Sequence, residues 1–263
     1  MRLADEYLSM GSAFAAAARG ALLGTVIAGF ALAANAADVT SAVNASVPNQ
    51  ASIAATPTAQ RRPGRADFGA ETASVDARQL AQWVMHSGDN GGLPFLIIDK
   101  VQARVFAFGA DGQLRGASTA LLGLAIGDDS VPGIGQRPLS SIRAEERTTP
   151  AGRFVASLDR DLHGKELLWV DYDTSVSLHI VVPGTPKERR AQRLASPSPL
   201  DKRITYGCIN VPANFYQTVV SPAFKGTTGI VYVLPETRSA AQVFGSYVVN
   251  DSGPASRTAP QQD

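Results

Sequence analysis

A single cysteine, Cys208, and three histidines, His86, His163 and His179, carry the nucleophilic and proton-transfer chemistry open to this chain of 263 residues. A thiol with its ordinary pKa near ~8.5 is mostly protonated at neutral pH, so a cysteine nucleophile needs a base or a cation beside it. His179 stands in "SVSLHIVV", whose alternation predicts a strand. A strand holds a general base rigidly enough to stay within hydrogen-bond reach. His163 is followed by glycine in a turn-like stretch, and His86 falls near the end of an amphipathic segment. Cys208 with His179 is therefore the pair to expect. Nowhere does the spacing gather His, Cys and carboxylates as a metal site requires, so no metal and no cofactor is expected. The alternatives are a small buried hydrophobe with an inert thiol for Cys208, and a satisfied, half-buried side chain for His179. Gly207 favours the nucleophile, because glycine lets the backbone approach a substrate and the amides around it can form an oxyanion hole. Pro212 predicts a helix start just after the cysteine, whose positive end would lower the thiol pKa.

The elements that must hold this pair read as short strands separated by turns. "PFLIIDK" is a buried-strand run, and "ARVFAFGADGQLRGAS" is a hairpin about Asp111-Gly112. "TTPAGRFVAS" leads from a Pro-Gly turn into a strand, "KELLWVDYDTSVSLHIVV" folds back across Asp171 to Thr174, and "GIVYVLP" closes the series. Residues 183–203 read as a long polar loop, and Phe215, Tyr216, Val219 and Val220 form the apolar face of a short helix. The Gly-rich segment 123–135 lacks the Lys-Ser/Thr of a phosphate loop and opens no helix, so it reads as an ordinary loop. The pattern is that of a mainly β domain.

Outside this body, residues 1–37 carry Arg2 and Arg19 ahead of an uncharged run ending in Ala34-Asn35-Ala36. That is the form of a cleavable export signal, and the run is also close to the length of a membrane anchor. Residues 38–75 are rich in Ala, Ser, Thr and Pro and read as a disordered linker, and 76–92 as a short helix leading in. The folded domain is expected over 93–238, with 239–263 a largely disordered tail. A formal net charge of +1 argues against a nucleic-acid binder.

"TYGCIN" resembles the L,D-transpeptidase signature, in which Ser or Thr, His, Gly, Cys, an apolar residue and often Asn or Arg follow an upstream histidine. Thr205, Gly207, Cys208, Ile209 and Asn210 match it. "TPAGRF", residues 149–154, is similar to that family's Thr-Pro-x-Gly segment, and "FLIIDKVQARVFAFGADGQL" to its opening hairpin. The resemblance runs from about Leu93 to Pro235. Two departures stand out: Tyr206 occupies the place of the motif histidine, and 25 residues separate His179 from Thr205. The tyrosine either supplies backbone and local hydrogen bonds in the histidine's place or packs its ring under a neighbouring loop. The inserted length forms a flap at little cost in stability.

The resemblance implies an L,D-transpeptidase-like β-sandwich with one or two short helices. It implies a cysteine acyltransferase acting on peptidoglycan stem peptides, periplasmic or in the cell envelope, touching a membrane only if the N-terminal segment is retained. Cys208 would be the nucleophile and His179 the base, with the amides about Tyr206 and Gly207 holding the oxyanion. Thr205, Asn210, Arg203 and Arg153 are the candidate substrate contacts; the charges of the flap read either as a solvated surface or as a grip on stem-peptide carboxylates, with Arg203, nearest the cysteine, the strongest candidate. The acyl acceptor would be a second stem, a D-amino acid, water or an envelope-protein lysine. Two rivals remain: a wall-binding module without turnover, and a thiol amidase or carboxypeptidase.

Overall fold

The computed structural model describes residues 64–249 except Leu162. The expected signal or anchor and the last fourteen residues lie outside the described residues. The fold is mainly β. Eight strands form one mixed sheet in the order β3-β2-β1-β10-β5-β6-β7-β9. They are β1 (Phe95–Asp99), β2 (Arg104–Phe108), β3 (Leu114–Thr119), β5 (Gly152–Arg160), β6 (Glu166–Asp171), β7 (Val176–Ile180), β9 (Ile209–Val211) and β10 (Thr228–Val233). The short strands β4 (Leu122–Gly123) and β8 (Arg203–Thr205) pair separately. A bridge between Leu121 and Asn210 ties the chain just after β3 to β9 at the far end, so the sheet is nearly closed.

Alternation along the strands sorts side chains onto two cores. Leu96, Ile98, Val105, Leu168, Leu178, Ile209 and Val211 point inward, where the helical segment α3 (residues 213–224, with a π turn at Tyr216–Val220) packs on them through Phe215, Tyr216 and Val220. Phe95, Ile97, Phe106, Phe108 and Tyr232 point to the opposite face, covered by helix α1 (Val75–Ser87). Ser74 caps α1 by accepting the Ala77 N–H, and Gly88 ends it in the left-handed conformation, satisfying the Val84 carbonyl.

Three segments differ from their sequence expectation. The end of the supposed linker is packed: Ala66 and Phe68 are buried, and Asp67 bridges to Gln113. The flap contains a short helix, α2 (Arg190–Ala195). The start of the supposed tail forms α4 (Ala240–Phe244), whose Phe244 stacks edge-on against Tyr232. The two extra helices are only six and five residues long, too short for a helical period to mark them.

Candidate active site

β7 and β9 run parallel, with Leu178 opposite Ile209 and His179 opposite Asn210. Because Leu178, Ile209 and Val211 point into the core, Ser177, His179, Cys208 and Asn210 share the outer face. The sheet thus brings together the cysteine and the histidine expected to work with it. His179 Nδ1 hydrogen-bonds the Ile180 carbonyl at 2.9 Å, and its Nε2 meets Asn210 Nδ2 at 2.9 Å. Cys208 Sγ lies 3.7 Å from Ser177 Oγ and 3.7 Å from the Ser175 carbonyl. Burial pushes the thiol up, but the hydrogen bond and charge of His179, aided by Ser177, outweigh it and hold Cys208 below its ordinary value.

The turn that presents Cys208 is fixed from both sides. Thr205 Oγ1 accepts the Gly207 N–H at 3.1 Å and donates to the Cys208 carbonyl at 2.7 Å. Thr149 Oγ1 donates to the Gly207 carbonyl at 2.8 Å and accepts the Gly123 N–H at 2.9 Å. Gly207 sits at φ +138, and a Cβ there would lie 2.8 Å from the Thr148 carbonyl, so only glycine fits. The Gly207 amide is committed to Thr205, which removes it from the set expected to hold an oxyanion.

The segment 124–147 closes over the thiol. Ile134, Leu139 and Ile142 form a small cluster with the half-buried Tyr206 ring, and the Arg147 guanidinium stacks 3.9 Å from the ring centre. Arg137 binds both oxygens of Glu146 at 3.0 and 3.1 Å. Those bonds hold the Glu146 carboxyl at about 2, so the pair stays ionised at any physiological pH. The space left beside Cys208, lined by Ile134, Tyr206 and Ser175, is about 20 Å³, room for about one water. Cys208 is 8% exposed. Tyr206 therefore packs under the loop. We expect Tyr206→Ala to raise the rate of Cys208 alkylation by about 10- to 100-fold, the loss of one guanidinium–ring contact and a share of buried ring. Intact-mass kinetics would check this; an unchanged rate would show that the ring does not hold the loop shut.

On its other side His179 lines a groove of about 580 Å³, walled also by Asp161, Glu166, Val182, Tyr216 and Gln217. Among the described residues Asp161 Oδ2 and Tyr216 Oη are buried without a hydrogen-bond partner. Burial and the neighbouring Glu166 raise the Tyr216 phenol, which keeps its proton.

Both arginines expected to contact substrate are occupied by internal partners instead. Arg153 is placed by its register opposite Tyr232 on the α1 face, where its Nε donates to Asp89 Oδ1 at 2.6 Å and it lies over the Tyr232 ring. Arg203 is buried, paired with Glu236 and bonded to the Lys100 carbonyl. Thr205 and Asn210 are also buried, and they shape the cysteine turn and the histidine rather than facing the groove. Sequence reasoning passed over Ser177, though its place two residues before His179 puts it on the same strand face. Thr149 opens the quoted "TPAGRF" segment, yet nothing local marked its bond to Gly207. No group of three or more His, Cys, Asp or Glu side chains is arranged to hold a metal among the described residues, and none of their helices is long and apolar enough to cross a membrane.

No protein-family model matches the chain, and no curated protein does. Solved structures similar to it include the helical cell shape determining protein Pgp2 from Campylobacter jejuni, at 15% identity over 56% of this chain and 49% of that one, with a TM-score of 0.36. The catalytic domain from the E. faecium L,D-transpeptidase is similar at 16% identity over 53% of this chain and 95% of that one, with a TM-score of 0.32. An L,D-transpeptidase from Xylanimonas cellulosilytica is similar at 14% identity over 54% of this chain and 60% of that one, with a TM-score of 0.31. The match spans about half the length of the Campylobacter protein.

Proposed function

We propose that this chain is an exported, L,D-transpeptidase-like cysteine acyltransferase acting on peptidoglycan stem peptides in the periplasm or cell envelope. The observation that carries the reading is that Cys208, inside the segment that matches the family signature, shares a sheet face with His179, which holds the thiol below its ordinary value. The stem peptide lies in the groove beside His179, walled by Glu166, Val182 and Gln217. His179 takes the Cys208 proton, and the thiolate attacks the carbonyl joining the L-centre of diaminopimelate to terminal D-Ala. With the Gly207 amide committed, the neighbouring amides of Tyr206 and Cys208 steady the oxyanion. The C–N bond breaks, D-Ala leaves with the proton returned by His179, and a thioester remains on Cys208. An amine then attacks the thioester and regenerates the thiol, forming a 3→3 cross-link when the amine belongs to a second stem. A D-amino acid, water or an envelope-protein lysine would serve in the same step.

The closed space over Cys208 favours a second reading, a wall-binding module that does not turn over. Incubation with a carbapenem followed by intact-mass measurement separates the two. Acylation of Cys208 supports the enzyme; no adduct, under conditions that label a relative with the same signature, supports the binder. Defined muropeptides, with products identified by mass spectrometry, then distinguish transfer from hydrolysis by a thiol amidase or carboxypeptidase.

A further inference from the structure

The flap delivers one of its arginines to the protein interior. Arg190, the first residue of α2, is buried, its Nε donating to Glu188 Oε2 at 2.5 Å and its Nη1 to Asn210 Oδ1 at 3.0 Å. The chain is shaped around this contact. Gly184 sits at φ +65, and a Cβ there would come within 2.2 Å of Glu188 Oε2 and 2.8 Å of Arg190 Nε.

The chemistry of donors and acceptors then decides the state of the histidine. A guanidinium only donates, so the Asn210 atom it meets is the carbonyl oxygen. That turns Nδ2, which also only donates, onto His179 Nε2. Nε2 must carry the ring's lone pair. The proton is therefore on Nδ1, where it is donated to the Ile180 carbonyl, which only accepts. Every member of the series is satisfied in one arrangement and in no other.

We propose that Arg190 is a positioning residue for His179. By fixing the Asn210 amide it holds the imidazole in the Nδ1–H tautomer, with the ring's lone pair on Nε2. The proposal rests on the reading of Cys208 and His179 as nucleophile and base. Without Arg190 the Asn210 amide is free to rotate and present Oδ1, which accepts from Nε2–H and stabilises the other tautomer. The ring's lone pair would then face the Ile180 carbonyl, which also only accepts. The flap so acts on the base at one remove, through a residue that touches no reacting atom.

Nitrogen NMR of the full chain labelled with ¹⁵N-histidine tests this. The chain has three histidines, and His179→Gln assigns the signals of interest by their loss. At about pH 9, well above the ordinary histidine range, the wild type is expected to show a protonated Nδ1 and a bare Nε2 at His179. Arg190→Lys keeps that pattern, because an ammonium also only donates. Arg190→Ala shifts the proton towards Nε2, and Asn210→Asp, whose carboxylate only accepts, moves it there fully. A wild-type ring protonated on Nε2, or an Arg190→Ala spectrum identical to wild type, overturns the proposal. If Arg190→Ala fails to fold, Arg190→Met, which keeps the length of the side chain and removes every donor, decides in its place, an unchanged tautomer again being fatal. Carbapenem acylation with an unresponsive tautomer removes the role of Arg190 and leaves the proposed function standing; a responsive tautomer without acylation does the reverse.

Discussion

Cys208→Ala is expected to abolish acyl-enzyme formation, and His179→Ala to slow it by about 10²–10⁴-fold at neutral pH. The two losses differ because the residues do different work. Without Sγ no bond to the substrate carbonyl can form. Without the imidazole the thiol remains a nucleophile, but it loses the hydrogen bond and charge that oppose its burial. Its thiolate fraction then depends on solution pH, so the His179→Ala rate should climb steeply as pH rises through the thiol range, towards the wild-type value. Stopped acylation with a carbapenem, followed by intact mass across pH, reads both effects. His179→Ala acylating at the wild-type rate would make the histidine structural, and retained adduct in Cys208→Ala would move the chemistry to another residue.

How much of this was legible follows from how local each signal is. The strands β1, β2 and β10 are short, nearly continuous apolar runs bounded by turn residues and could be read directly, and so could the pairing of Cys208 with a strand histidine. The direction of Arg153 was not legible, because it depends on the register that sets it opposite Tyr232. Nor was α2: "RAQRLA" has one buried apolar residue, Leu194, and Arg190 is drawn inward by partners at positions 188 and 210. Tyr206 stood out as a departure from the signature, but its partner ring of Ile134, Leu139, Ile142 and Arg147 lies more than fifty residues upstream. Glycines at 123 and 207 are the other half of that closure. A Cβ on Gly123 would lie 2.4 Å from the Arg147 carbonyl, so the loop returns to the nucleophile turn only because neither position has a side chain.

Lys100→Met is expected to destabilise the fold by about 3–5 kcal/mol, the cost of stranding a buried carboxylate. In sequence Lys100 ends a strand run, and in the fold its side chain is wholly buried. All three ammonium protons are used, on the Gly127 carbonyl at 2.6 Å, Asp128 Oδ1 at 2.8 Å and the Thr149 carbonyl at 3.0 Å. Glu236 lies 3.6 Å away and pairs in turn with the buried Arg203, so two cations and two carboxylates balance inside the protein. Burial pushes Asp128 up, but bonds from Lys100, Thr237 and the amides of residues 236 and 237 hold it well below the usual carboxylate range. Its contribution is therefore present above the unfolded carboxylate range, near ~4, and lost only as pH falls through the lower folded value. Methionine fills the volume and removes the charge, so Asp128 loses its buried counter-ion without a cavity being opened and keeps only the part-exposed Arg238, 3.7 Å away. Urea melts at neutral pH should show a lower midpoint with an unchanged slope. Adding Asp128→Asn should recover part of the loss, because the second change removes the stranded charge. A loss below about 1 kcal/mol would mean the quartet is solvated in solution, as exposed pairs are. The same ammonium also fastens the Thr149 carbonyl, while the Thr149 hydroxyl holds the Gly207 carbonyl beside Cys208. Any Lys100→Met protein that stays folded should accordingly alkylate Cys208 at an altered rate, since one of the two supports of the nucleophile turn has been cut from its anchor.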